Sequence, residues 1–198
     1  MTGNREKLLH AAIVCLREKG YADTTARDLV AVSGANLASI GYHFGGKEAL
    51  LNEAVAETTR AWARLIEEEV LTTGPPGASQ DGMRRVLGAS VDRFDAFEPY
   101  LRSFVEAFPP ALRSADLRES MAGAYEDVRG AGGAMLERLA REKGVDLEPD
   151  VARTLASTII ALCDGLILQW LLDRKAVPAG DEVLDALGSA AGWLIPTR

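Results

Sequence analysis

Two histidines and two cysteines are the whole supply of soft ligands and thiol nucleophiles in these 198 residues. Cys15 and Cys163 stand far apart, and neither has a neighbour at metal-ligand spacing. That fits free thiols in a reducing compartment. No phosphate-cradling glycine loop and no Gly-x-Ser-x-Gly elbow occurs, and His43 has no obvious local carboxylate partner to make it a base. Catalysis, a metal site and a cofactor are therefore not expected. Polar chemistry gathers instead between Asn36 and Lys47, where Asn36, Ser39, Tyr42, His43 and Lys47 follow one another closely. Amide, hydroxyl, phenol, imidazole and ammonium groups are the donors and acceptors that meet phosphates and base edges.

Helices must position these groups, because no alternating strand pattern appears and the chain reads as all-α with about nine helices. Apolar Leu8, Leu9, Ala12, Ile13 and Leu16 mark a first helix over 4–19, with Gly20 as its C′ residue. A second starts after Thr24 as N-cap and ends near Ser33-Gly34. A third spans 37–44 behind Asn36, broken by Gly45-Gly46, and a long fourth begins near Lys47. The layout over 24–44 is that of a helix-turn-helix. On a helical wheel Leu37, Ile40, Gly41 and Phe44 fall inward, and Ala38, Ser39, Tyr42 and His43 outward. The wheel by itself fits equally a three-helix cap whose outer face meets only solvent.

Charge is distributed unevenly. The chain carries −7 overall, yet residues 1–47 hold six Lys/Arg against four acids. A mildly basic head on an acidic body fits a protein whose head alone meets phosphate.

Gly20-Tyr21, Thr24-Thr25, Leu29, Ser33-Gly34-Ala35-Asn36 and the run Tyr42-His43-Phe44-Gly45-Gly46-Lys47-Glu48-Ala49-Leu50 resemble, in order and spacing, the N-terminal domain of the tetracycline-repressor (TetR) family. The resemblance covers about residues 5–55. It implies a DNA-binding helix-turn-helix domain at 1–47 and a helical ligand-binding and dimerisation domain at 48–198. It implies a transcriptional regulator that is usually a repressor, released from a palindromic operator by a small molecule. Thr25 matches a phosphate contact, and Asn36, Leu37 and Ser39 match the base-facing part of the recognition helix. Tyr42 and His43 match backbone contacts, and Lys47 matches a phosphate-gripping lysine at the start of the fourth helix. Leu37 departs from the family's usual polar or basic residue, and Gly41 from its usual aromatic one. Base reading would then lean on thymine methyl groups and DNA shape.

The body offers less. The helix around 155–172 is apolar almost all round and needs cover on more than one face. Asp164 in its middle and Gln169 after it argue against a membrane span. Packing on a second subunit fits better, with Val183, Leu184, Leu187, Ala190, Ala191 and Leu194 of the last helix on the same seam. A homodimer through the two C-terminal helices is expected. Aromatic and soft apolar residues in the middle helices read first as ordinary core. As a group, Trp62, Tyr100, Phe104, Met121 and Tyr125, with Asp164 as a polar handle, suit a mainly apolar effector. Asp164 serves the dimer helices equally well in this reading. Gly130–Gly133 reads as a kink or a close helix contact, and Gly74-Pro75-Pro76-Gly77 as a linker. No basic stretch followed by an apolar segment opens the chain, so a cytoplasmic protein is expected. The competing reading is a helical interaction or ligand-binding module that does not touch DNA.

Overall fold

Helix boundaries over the first fifty residues follow local chemistry. In the computed structural model, which describes residues 3–72 and 82–194, α1 (Asn4–Asp23) loses helical geometry at Gly20, whose φ is +79°. A glycine holds that conformation without strain. Thr24 does not cap the next helix as expected. It is fully buried, and its hydroxyl donates to the Gly20 carbonyl at 2.7 Å. The cap of α2 (Ala26–Ser33) is Thr25, which accepts from the Asp28 N–H while Asp28 accepts from the Thr25 N–H, a reciprocal capping box. Gly34 and Gly45, both left-handed, end α2 and α3 (Leu37–Phe44). Next come α4 (Lys47–Thr72), α5 (Gly82–Val91), α6 (Phe94–Glu106), the four-residue α7 (Phe108–Ala111), α8 (Ala115–Glu142), α9 (Pro149–Leu172) and α10 (Gly180–Leu194). The described residues contain no strand, and α7 is the one segment beyond the nine long helices expected.

In the middle of the chain a break falls after Val91, and Pro99 lies inside α6. Phe94 is fully buried against Trp170, with ring centroids 5.7 Å apart, so tertiary packing fixes where α6 begins. The expected linker at Gly74–Gly77 lies outside the described residues, as do the side chains of Ala191 and Leu194.

Two compact units result: Met1–Trp62 with Glu98–Val128, and Ala63–Phe97 with Arg129–Arg198. In the first, Leu8, Cys15, Leu16, Leu29, Ile40, Leu50 and Leu51 form a core that also includes Ala107, Leu117 and Met121. Hydroxyl donors lace it together: Ser103 to the Leu16 carbonyl at 2.6 Å, Tyr21 to the Asn52 carboxamide at 2.6 Å, and Ser120 to the Asn52 carbonyl at 3.2 Å. In the second unit α8 runs unbroken through its glycines, which permit a close approach to α9. A Cβ on Gly132 would sit 3.2 Å from that of Ala156, and one on Gly133 3.5 Å from the Arg153 backbone. The glycine stretch is thus a contact and not a kink.

Candidate nucleic-acid interface

The start of α3 is built by Asn36. Its carboxamide oxygen accepts from the Ser39 N–H at 2.9 Å and from the Ser39 hydroxyl at 3.0 Å. That double bond to the cap draws Ser39 inward, where it is buried. Ile40 lies buried beneath it, and Phe44 packs at the core's edge. Arg5 holds that edge, stacking 5.0 Å over the Phe44 ring while one of its guanidinium nitrogens donates to both carboxylate oxygens of Glu53 on α4, at 2.6 and 2.8 Å.

The consequence is a change of phase. Leu37, Ala38, Gly41 and Tyr42 are exposed, while Ser39, Ile40, His43 and Phe44 are buried or half-buried. The outward face is turned by about a quarter turn from the wheel expectation, at 100° per residue. Leu37 and Gly41, expected inward, face out. Ser39 and His43, expected outward, are drawn in. Leu37 is 59% and Tyr42 85% exposed, large values for an apolar and an aromatic side chain. The Tyr42 ring stands edge-on to His43 at 4.8 Å between centroids, which limits its rotation.

Lys47 opens α4. Its ammonium donates to the Thr24 carbonyl at 3.2 Å and lies 3.6 Å from the Glu48 carboxylate. One ammonium proton thus fixes the side chain beside Thr25 at the start of α2, while the Glu48 carboxylate shares the ammonium's outer side. Two helix N-termini, each with partial positive charge, meet at this corner. Asp28 at the same end of α2 accepts from Lys19 at 2.6 Å. Lys19, then the Thr25 hydroxyl, hold its carboxyl well below the usual carboxylate range. Among the described residues no group of three His, Cys, Asp or Glu side chains is placed to hold a metal ion.

The other named residues separate. Phe104 lies 6.0 Å from Tyr125 and 5.1 Å from Phe108 between ring centroids, and Met121 is buried in the same core cluster as Phe104. Tyr100 carries the Arg17 guanidinium 6.0 Å over its ring, and Trp62 is half-buried on α4. These five belong to the first unit, and Asp164 belongs to the second.

Two family models match this chain. The one described as bacterial regulatory proteins, tetR family, matches residues 8–54, and the one described as BetI-type transcriptional repressor, C-terminal, matches residues 79–189. The chain belongs to the TetR family of transcriptional regulators. As a TetR-family protein it is a DNA-binding regulator, which disfavours the reading as an interaction module without DNA. It is 27% identical to the HTH-type transcriptional regulator LmrA of Bacillus subtilis over 88% of this chain and 90% of that one. Its fold matches SCO7518 of Streptomyces coelicolor A3(2) with a TM-score of 0.70 at 25% identity, over 96% and 98% of the two chains. It also matches a regulator of Saccharomonospora viridis solved with choline, with a TM-score of 0.66 at 20% identity, over 98% of each chain.

Sequence reasoning placed Ala38 and Tyr42 outward, as found, but missed Leu37 and Gly41 on the same exposed face. Asn36 was legible as the cap, whereas the inward position of Ser39 was set by packing.

Proposed function

We propose that the protein is a homodimeric repressor whose two heads bind the half-sites of a palindromic operator and release it when a small molecule binds. The observation that carries the DNA part is the exposed α3 face beside an anchored lysine. Thr25, Tyr42, His43 and Lys47 are assigned to phosphates, and Asn36 and Leu37 to the groove floor. Ser39 acts from beneath by fixing Asn36. Residues 1–47 form the DNA-binding part and 48–198 the effector-binding and dimerisation part.

The dimer reading rests on α9. It is long and apolar enough by length and composition to cross a membrane, yet only 28% of its apolar window is buried within the chain. Val151, Leu155, Thr158, Ala161, Leu168 and Leu172 are exposed at steps of three, four and seven residues. Thr154 and Thr158 turn their hydroxyls onto the carbonyls four residues back, at 2.8 and 2.9 Å, leaving methyl groups outward. Leu187 and Gly188 of α10 are also exposed. An uncovered apolar face of this length fits a second copy of a two-fold regulator. No membrane association and a cytoplasmic location belong to the same reading.

The effector is proposed as a mainly apolar molecule with a polar handle. The aromatic cluster of Phe104 and Tyr125, with Trp62, Tyr100 and Met121 on the same unit, supports it. Asp164 belongs to the other unit and is kept as a separate ligand-binding candidate.

The test of the DNA face is selection of bound duplex from a random pool, then titration of the recovered sequence. Tyr42→Ala and Lys47→Ala should each weaken binding about tenfold with an unchanged melting temperature. The salt slope should fall by about one per lost phosphate contact per head. Unchanged affinity in both variants would show that another face docks.

A further inference from the structure

We propose that the exposed face of α3 reads the 5-methyl group of a pyrimidine in the major groove, with Leu37 as the contacting side chain. The inference rests on the reading of α3 as the DNA-recognition helix and adds what that helix recognises.

The first turn of a recognition helix normally supplies side chains that bond base edges. Here the Asn36 carboxamide oxygen accepts twice from Ser39, which leaves the exposed Asn36 amide nitrogen as a donor at the very start of the helix, and the Ser39 hydroxyl is engaged by Asn36 and buried. The residues left facing outward over the first turn and a half are Leu37, Ala38 and Gly41. None carries a side-chain donor or acceptor. Tyr42, the polar residue on that face, stands at its far end. A leucine 59% exposed on a helix of eight residues leaves most of its surface uncovered by its own chain. Gly41, one turn on, needs its missing side chain for no internal packing, because a Cβ there would meet nothing within 4 Å. Its lack of bulk opens the space beside Leu37 instead. In the major groove the bases display donors, acceptors and one apolar mark, the 5-methyl group of thymine. The same methyl on 5-methylcytosine occupies the same ring position, so both sources share the chemistry.

The test uses the full chain and the duplex selected from a random pool. Each thymine is replaced in turn by deoxyuridine, which removes the methyl and leaves every hydrogen-bonding group. One thymine per half-site should respond, with about a fourfold loss of affinity for one half-site and about fifteenfold for both, the value of one buried methyl applied once and twice. With Leu37→Ala, an exposed substitution, the thymine and uracil duplexes should bind alike. At the responsive position a 5-methylcytosine·guanine pair should beat cytosine·guanine by the same factor in the unchanged protein and by none in Leu37→Ala. Which of the thymine and 5-methylcytosine duplexes binds more tightly identifies the source of the methyl. Equal affinity for thymine and uracil at every position overturns the proposal and leaves DNA binding intact. Discrimination that survives Leu37→Ala overturns the assignment to that residue. Absence of salt-dependent duplex binding overturns both the proposal and the reading beneath it.

Discussion

Asp28 shows how one exposed carboxylate organises the entrance to the helix-turn-helix. It accepts from the Thr25 N–H at 2.9 Å, the Thr25 hydroxyl at 2.6 Å and the Lys19 ammonium at 2.6 Å. All three favour the ionised form, which is why its folded pKa is depressed, with Lys19 the largest cause. A carboxyl depressed on folding contributes stability above its ordinary value near ~4, and that contribution is lost as pH falls through the depressed value. Asp28→Asn should therefore lower the melting temperature at pH 7 while the gap from the unchanged protein narrows toward pH 2. Thermal melts by circular dichroism across that range check it, and a gap independent of pH would contradict it. The cysteines give a second residue-scale expectation. Burial pushes the Cys163 thiol up to about 11 and raises that of Cys15 as well. At pH 8 alkylation of Cys163 in the native protein should run roughly a hundredfold slower than in denaturant, because the thiolate is the nucleophile. Mass spectrometry of timed samples reads this directly.

Among the elements, α8 and α9 meet through small residues. Gly132 faces Ala156 at a separation that leaves no room for a larger side chain, and Leu136, Ala152 and Ala156 bury the rest of that seam. Gly132→Val should force the helices apart and destabilise the fold by about 1–3 kcal/mol, the usual cost of overpacking. The expected result is a melting temperature several degrees lower with the same helical content. A neutral or stabilising effect, as a helix-propensity argument alone would give, would show that the two helices can separate freely. The short α3 illustrates the opposite situation. With eight residues it has too little apolar area to set its own rotation, and its phase is imposed by the Asn36 cap below and the Arg5–Phe44 brace at its end.

At the scale of the whole molecule the proposed dimer links the two heads. Leu168→Glu with Leu172→Glu places two charges on the exposed α9 stripe without touching the buried Leu166, Ile167 or Trp170. The doubly substituted chain should sediment as a folded monomer. Its operator affinity should fall by more than a hundredfold, because the second half-site is no longer bound intramolecularly. A substituted chain that still dimerised would move the interface elsewhere, and a monomer with full affinity would remove the need for a palindrome.

Much was written in local sequence. Capping residues, turn glycines and 3.6-residue periodicity place the first four helices to within a few residues, because those signals act over one or two turns and need no distant partner. The Tyr42–Leu50 run marked the family for the same reason, and α9 showed in its apolar composition that it needs cover on more than one face. Tertiary structure decided what local signals left degenerate. Thr24 and Thr25 are equivalent as letters, and only the burial of Thr24 beneath Gly20 makes Thr25 the cap. The start of α6 depends on Phe94 meeting a tryptophan far along the chain. The wheel of α3 turned Leu37 inward, and packing chose the rotation that puts it in the open. Eight residues bury too little surface to choose for themselves, so that choice belongs to the core they rest on.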